Sequence, residues 1–254
     1  MVKNNHQITE LESCLLNQNF SDQEDTDLLE YYKQMASLYA KNENAIAVLS
    51  DLKADRSYIY NGALAVVLGL NQDNHQINTI WEEEVYNRIH PEDLTARHLQ
   101  ELHFFLLLKK VSLNERHNYR TYSVIRMKDS AGVYRSILHR TLYLCSDQNG
   151  SFWLALCLYN FHFIDEPVKS FTGGIQNCAT GEFFKVNDRN VSILSQREIE
   201  VLCLVEKGLR SKEIADKLNV SKNTIDRHRQ NIMEKLRVGS SIEAIRIAKE
   251  LSLL

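Results

Sequence analysis

No apolar run in the chain is longer than the eight residues Phe152 to Tyr159, well short of the ~20 needed to cross a bilayer. The first residues, MVKNNHQITELESC, lack a basic-then-apolar leader, so no export signal is expected. The five cysteines (Cys14, Cys145, Cys157, Cys178, Cys203) are odd in number, scattered, and never in a C-x-x-C pair. Neither a disulfide frame nor a structural zinc site follows from such spacing. Cys157 and Cys203 lie in apolar stretches and read as small core residues. The G-x-S-x-G, G-x-x-x-x-G-K, H-E-x-x-H and G-x-G-x-x-G patterns are also missing. The chain is therefore not expected to be an enzyme, and no metal or cofactor is expected. The run Glu82-Glu83-Glu84 reads as a solvated face. The acids at 22, 24, 25 and 27 do not sit at strand ends, as the pocket of a phosphorylated receiver domain would require.

What remains is a folded chain with reduced thiols, placed in the cytoplasm. An apolar fraction of 44% can build a core, and 254 residues suggest one large domain or two small ones. Charge is unevenly spread. From Ser192 onward, 12 Lys/Arg face 9 Asp/Glu, a balance of +3, whereas the remainder stands at −6. A mildly basic tail on an acidic body hints at a polyanionic partner.

Residues 1–42 read as a loose polar arm followed by an amphipathic helix. In that helix Leu28, Tyr32, Met35, Ala36 and Tyr39 recur at helical spacing and need a surface to cover them, in the next domain or in a second copy. Short strands are expected at 45–52 and 57–61, a small helix near 63–68, and a longer helix from Glu92 to Lys110. The long helix is opened by a proline and two acids, which suit a first turn. Strands at 119–128, 133–145 and 151–163 follow, joined by short Gly-containing polar turns. The last is nearly all apolar and should be covered on both faces. This order of two strands, helices and three long strands, with the phrase Ile89-His90-Pro91-Glu92-Asp93-Leu94, resembles the PAS sensor fold over residues 43–164. Some PAS domains hold haem through a helical histidine. Here His98 and His103 are five apart and do not share a face well, and 61–70 lack the Asn-Cys-Arg phrase of flavin light sensors, so neither group is expected. Residues 165–190 read as a linker with room for one hairpin.

From Ser195 the pattern changes to four closely spaced helices. Ser195-Gln196-Arg197-Glu198 is a capping box, in which the serine caps and the glutamate reaches back. Ile199, Leu202 and Val205 form an apolar stripe, and Gly208 closes the helix. A second helix spans 211–218, Asn219-Val220 make a tight turn, and Ser221 caps a third helix running to about Arg237. Ile225, Ile232 and Leu236 face its core. Ser240-Ser241-Ile242-Glu243 opens a fourth helix. A short helix, a tight turn and a longer basic helix make a helix-turn-helix, whose second helix can lie in a DNA major groove.

The phrase Leu194-Ser195-x-Arg197-Glu198-x-Glu200-Val201-Leu202, then Gly208, Lys212-Glu213-Ile214-Ala215 and Leu218, resembles the LuxR/GerE family of bacterial transcription factors. So does Ser221-x-x-Thr224-Ile225-x-x-His228-x-x-x-Ile232-x-x-Lys235-Leu236. Together they place a DNA-binding domain at 191–254. The expected fold class is α+β: a PAS-like antiparallel sheet with flanking helices, followed by an all-α four-helix domain. The resemblance implies base contacts at Asp226, Arg227 and Gln230 and backbone contacts at Thr224 and Lys235, with Lys222 and Asn223 on the same outward face. Asp226 would repel phosphates, and could accept from a cytosine amino group or avoid the DNA. His228 reads as packed or as a phosphate contact. In that family the last helix often pairs two copies, and Ile242, Ile245 and Ala248 would form that face or serve as ordinary core. The expected function is a one-component DNA-binding transcription regulator. The alternative is that the PAS-like domain only docks a partner or a second copy and takes no small-molecule ligand. Expected partners are double-stranded DNA, a second copy, and a small-molecule ligand or RNA polymerase, with no membrane.

Overall fold

The computed structural model describes residues 11–22, 25–163, 168–185, 194–236, 238–250 and 254. It divides into two compact units, residues up to Phe183 without 105–110 and the remainder.

The N-terminal unit begins with a helix at residues 11–16 (α1) and continues with α2 (Thr26–Asn42), β1 (Ile46–Asp51), β2 (Arg56–Asn61), α3 (Ala63–Leu68), β3 (His75–Ile77), α4 (Glu83–Tyr86) and α5 (Pro91–Leu108). Three long strands follow, β4 (Tyr119–Lys128), β5 (Tyr134–Ser146) and β6 (Phe152–Phe161), then β7 (Thr172–Asn177) and β8 (Phe183–Lys185). The strands make one sheet in the order β3-β2-β1-β6-β5-β4-β7-β8. Pairings from β3 through β7 are antiparallel.

The alternation of side chains along a strand explains why the central strands are apolar throughout. In β1 and β6, Ile46, Val48, Cys157 and Tyr159 face one core with α3 and α4. Ala47, Leu49, Leu154, Leu156 and Leu158 face the other, under α2. The amphipathic stripe of α2 is thus covered by the sheet of its own chain: Ala36 and Ala40 are buried there, with Leu28, Tyr32, Met35 and Tyr39 around them. The His90–Asp93 phrase is a clamp. Asp93, 1% exposed, accepts from the Arg126 backbone N–H at 2.7 Å and from its guanidinium at 2.6 and 3.0 Å, fixing the start of α5 to β4.

Two expectations are corrected and a third is extended. The loose arm is in part a packed helix, because Leu11 and Leu15 are buried and Gln18 exchanges hydrogen bonds with the Phe152 backbone. The stretch read as a linker with room for one hairpin holds neighbouring strands β7 and β8, and β7 also pairs with β4. Its glycines mislead because Gly173 serves close approach: a Cβ there would meet Ser123 Cβ at 2.7 Å and Gln100 Nε2 at 2.9 Å. Glu82 is not solvated but 1% exposed.

Glu82 belongs to a polar cluster inside the unit. It accepts from Tyr159 Oη at 2.9 Å and lies 3.4 Å from the Arg97 guanidinium. Arg97 Nε donates to His139 Nε2 at 3.2 Å, so His139 is neutral and its Nδ1–H faces Ser123 Oγ at 3.3 Å. Burial, reinforced by Arg97, lowers the His139 pKa well below the usual histidine range. The same two causes push His98 down to about 3. His98 packs edge-on between Trp81 and Tyr86.

Buried neutral histidines make stability depend on pH. Their folded pKa lies below the unfolded value near 6.5, so their contribution is complete above pH 6.5 and is lost as pH falls towards 3. Both tryptophans of the chain, Trp81 and Trp153, lie in this unit, so their fluorescence follows its unfolding. His98→Phe should remove up to about 1.4 kcal/mol per pH unit from the acid slope between pH 6 and 4. An unchanged slope would show that His98 is charged in the folded chain.

Candidate nucleic-acid interface

The C-terminal unit holds four helices, α6 (Gln196–Glu206), α7 (Ser211–Leu218), α8 (Lys222–Leu236) and α9 (Ser241–Glu250). The Ser195 hydroxyl accepts from the Glu198 N–H at 3.3 Å, and the Glu198 carboxylate accepts from the Ser195 N–H at 2.6 Å. The expected capping box is therefore present. Gly208 ends α6 at φ +83°, a backbone region that glycine enters without strain. The inward face of α6 is Glu198, Val201, Leu202 and Leu204. The stripe read as Ile199, Leu202 and Val205 is shifted, since Ile199 and Val205 are only half-buried. Sequence reasoning could not place a glutamate inward because its compensation comes from a distant residue.

That residue is Lys235. Its ammonium lies 2.7 and 2.6 Å from the two Glu198 oxygens. Burial would raise the Glu198 pKa, but hydrogen bonds from Lys235 and Ser195 outweigh it and hold the carboxyl below the usual glutamate value. Lys235, expected as a DNA-backbone contact, forms a strut joining α8 to α6 while its side chain stays partly exposed.

The turn between α7 and α8 is three residues long. Asn219 takes the left-handed conformation at φ +52°, which asparagine tolerates better than most residues, and the Val220 N–H donates to the Ala215 carbonyl at 3.1 Å. Arg197 reaches from α6 to the Leu218 carbonyl at 3.1 Å. Ser221 then starts α8 by accepting from the Thr224 N–H at 3.1 Å. Ile214, Ala215, Ile225, Ile232 and Leu236 close the core of this helix-turn-helix.

The outward face of α8 carries Lys222, Asn223, Thr224, Asp226, Arg227 and Gln230, all exposed. The structure sorts them. The Thr224 hydroxyl bonds Ser221 Oγ at 2.8 Å. A hydrogen bond with Ser211, then the nearby Lys222 and Arg229 charges, lower the Asp226 pKa; Lys222 Nζ lies 3.5 Å away. Asp226 thus has partners within its own domain, which offsets its repulsion of phosphate. Arg229 bonds Ser211 Oγ at 3.2 Å and Ser241 Oγ at 3.0 Å, fastening the starts of α7 and α9 to α8. Asn223, Arg227 and Gln230, at i, i+4 and i+7, line one open stripe. His228 is half-buried. Arg237 lies outside the described residues.

The pairing face is corrected in part. Ala248 is fully buried and belongs to the core, whereas Ile242 is 83% exposed and Ile245 is half-buried. Small size at a helical period put Ala248 on the expected face, but the packing of α6 and α8 against α9 claims it.

Lys235→Ala should leave Glu198 buried without its counter-charge and destabilise the four-helix unit by about 1–3 kcal/mol. Amide exchange across α8 should then speed up roughly tenfold or more. Unchanged exchange with weakened DNA binding would restore Lys235 to the phosphate-contacting set.

Residues 192–248 match the GerE family model, described as bacterial regulatory proteins of the luxR family. The chain is 35% identical over 106 residues to the Fimbriae Z protein of Escherichia coli K12, covering 41% of this chain and 47% of that protein. It is 41% identical over 75 residues to the oxygen regulatory protein NreC of Staphylococcus carnosus TM300, covering 30% of this chain and 35% of NreC. The chain therefore spans less than half the length of these curated relatives. Among solved structures, the phage VqmA–DPO complex aligns over 91% of this chain and 93% of its own, at 15% identity and a TM-score of 0.32. With the family match, the capping box and the helix-turn-helix on one segment, the C-terminal unit is a regulatory domain of the bacterial luxR family.

Proposed function

We propose that this chain is a DNA-binding transcription regulator working in the cytoplasm. It reads sequence through α8, and its PAS-like N-terminal unit governs that activity. The observation that carries this reading is the stripe of Asn223, Arg227 and Gln230 on a capped, firmly seated helix of a helix-turn-helix. Arginine reads guanine and asparagine or glutamine reads adenine through paired hydrogen bonds in the major groove. Lys222 adds positive charge for phosphates near the helix start. Ile242, exposed on α9, joins Ile245 in a face that would pair two copies. Two copies would place their recognition helices about one helical turn (~34 Å) apart on a roughly palindromic site.

A second reading, in which the N-terminal unit only docks a partner, draws support from its interior. The cavity beside the polar cluster measures only about 10 Å³, room for roughly one water. Buried polar atoms without partners on Arg97 and Glu101 weigh against that reading.

Selection of bound duplexes from a random pool at two salt concentrations tests the DNA-binding reading. A half-site pair about one turn apart is expected, with affinity falling steeply as salt rises. Arg227→Ala should lower preference at one base pair by ~1–3 kcal/mol while leaving random-duplex binding nearly unchanged. Equal losses on selected and random duplexes would remove Arg227 from base reading.

A further inference from the structure

Arg97 and Glu101 stand one turn apart on α5, 1% and 7% exposed. Their closest charged atoms are 3.7 Å apart, an ion pair too long for a hydrogen bond. Arg97 Nη1 and Glu101 Oε2 are both buried and have no hydrogen-bond partner among the described residues. His98 Nε2, on the same helix, is in the same condition. Arg97 and Glu101 wall the small cavity, whose remaining lining includes Trp81, Tyr86 and Cys157. Its apolar wall includes Leu15 of α1. Polar contacts among the described residues join the segment carrying Leu15 to the unit, including the Ser21 N–H donating to Asp147 at 2.6 Å. Trp81 Nε1 donates to Glu12 at 3.2 Å, Gln18 bonds the Phe152 backbone, and Ser151 Oγ donates to the Asn19 carbonyl at 2.9 Å.

A leucine side chain offers nothing to an unpaired guanidinium N–H or carboxyl oxygen, and each buried polar atom left unmade raises the free energy of the closed state. A molecule with an acceptor beside a donor would satisfy both atoms at once. The charge already present selects its class. Two carboxyl groups, Glu82 and Glu101, surround one guanidinium, so a further anion is repelled and a cation would meet Arg97. We propose that the cavity walled by Arg97 and Glu101 is a binding site for a small neutral molecule bearing adjacent hydrogen-bond acceptor and donor groups, as in a carboxamide, and that Leu15 fills its apolar half until such a molecule displaces it. This rests on reading the N-terminal unit as a sensor.

Isovaleramide, an isobutyl group joined to a carboxamide, is the probe, and isovalerate, its anionic counterpart, is the control. In the full chain carrying Leu15→Ala, isovaleramide at several times its Kd should raise the tryptophan-monitored Tm by about 2–4 °C. Isovalerate should have no effect, and adding Glu101→Leu should abolish the response. In the unaltered chain, isovaleramide should speed amide exchange in residues 11–18 and slow it in 97–104, an arm that does not depend on the variant folding. Amide and acid acting alike, a response that survives Glu101→Leu, or unchanged exchange in both segments would overturn the proposal and leave a site for one structural water. Duplex binding measured on the same samples separates this failure from failure of the regulator reading.

Discussion

The C-terminal unit depends on one buried carboxylate. Glu198 closes the N-terminal cap of α6 by accepting from the Ser195 N–H and accepts two further short hydrogen bonds from Lys235, near the far end of α8. A carboxylate cannot stay buried unless its charge is met, so the two helices are held at a fixed separation by electrostatics as well as by packing. Arg197 capping the end of α7 and Arg229 bridging the starts of α7 and α9 extend the same logic. Basic side chains that could have met phosphate instead hold the scaffold. Asn223, Arg227 and Gln230 lie exposed on one face of α8.

The N-terminal unit solves a different problem, a sheet whose central strands are apolar on both faces. The α2 helix covers one face, and α3 with α4 covers the other. On the second face the core is not uniformly apolar: Arg97, with Glu82, His139 and Tyr159, sits there fully desolvated. Such a cluster is costly unless nearly every donor and acceptor is met. Most are met here, while Arg97 Nη1 and Glu101 Oε2, on two residues that line one cavity, are without a hydrogen-bond partner among the described residues.

Much of the fold was legible because its signals are local. The capping boxes, the Gly208 stop, the strand alternation and the Pro91 helix start involve residues within a few positions of one another. The long strands and helices that were expected consequently fall within one or two residues of their limits, whereas α1, β3 and α4 were not foreseen. The outward face of α8 was legible for the same reason, being a helical period on a basic segment. The misreadings share the opposite property. The pairing of Lys235 with Glu198 was not foreseen because the two lie 37 positions apart. Glu82 was assigned to solvent because Tyr159 and Arg97 come from other elements. Leu11 and Leu15 were passed over because two leucines in a polar stretch show no period until a surface exists to receive them. The glycines of β7 signal a loop by composition and a close sheet contact by position.

The sequence by itself therefore determined which segments are helix and strand, that the chain carries a luxR-type helix-turn-helix, and which face of α8 is turned outward. Those properties follow from propensity, capping and periodicity, which act over a turn or two of chain. Only the tertiary structure decided which charged residues are spent on holding the fold and which stay available, where α1 is seated, and that polar atoms remain unmet inside the N-terminal unit. The cost of burying a charge is set by what surrounds it in space, and sequence separation carries no information about that.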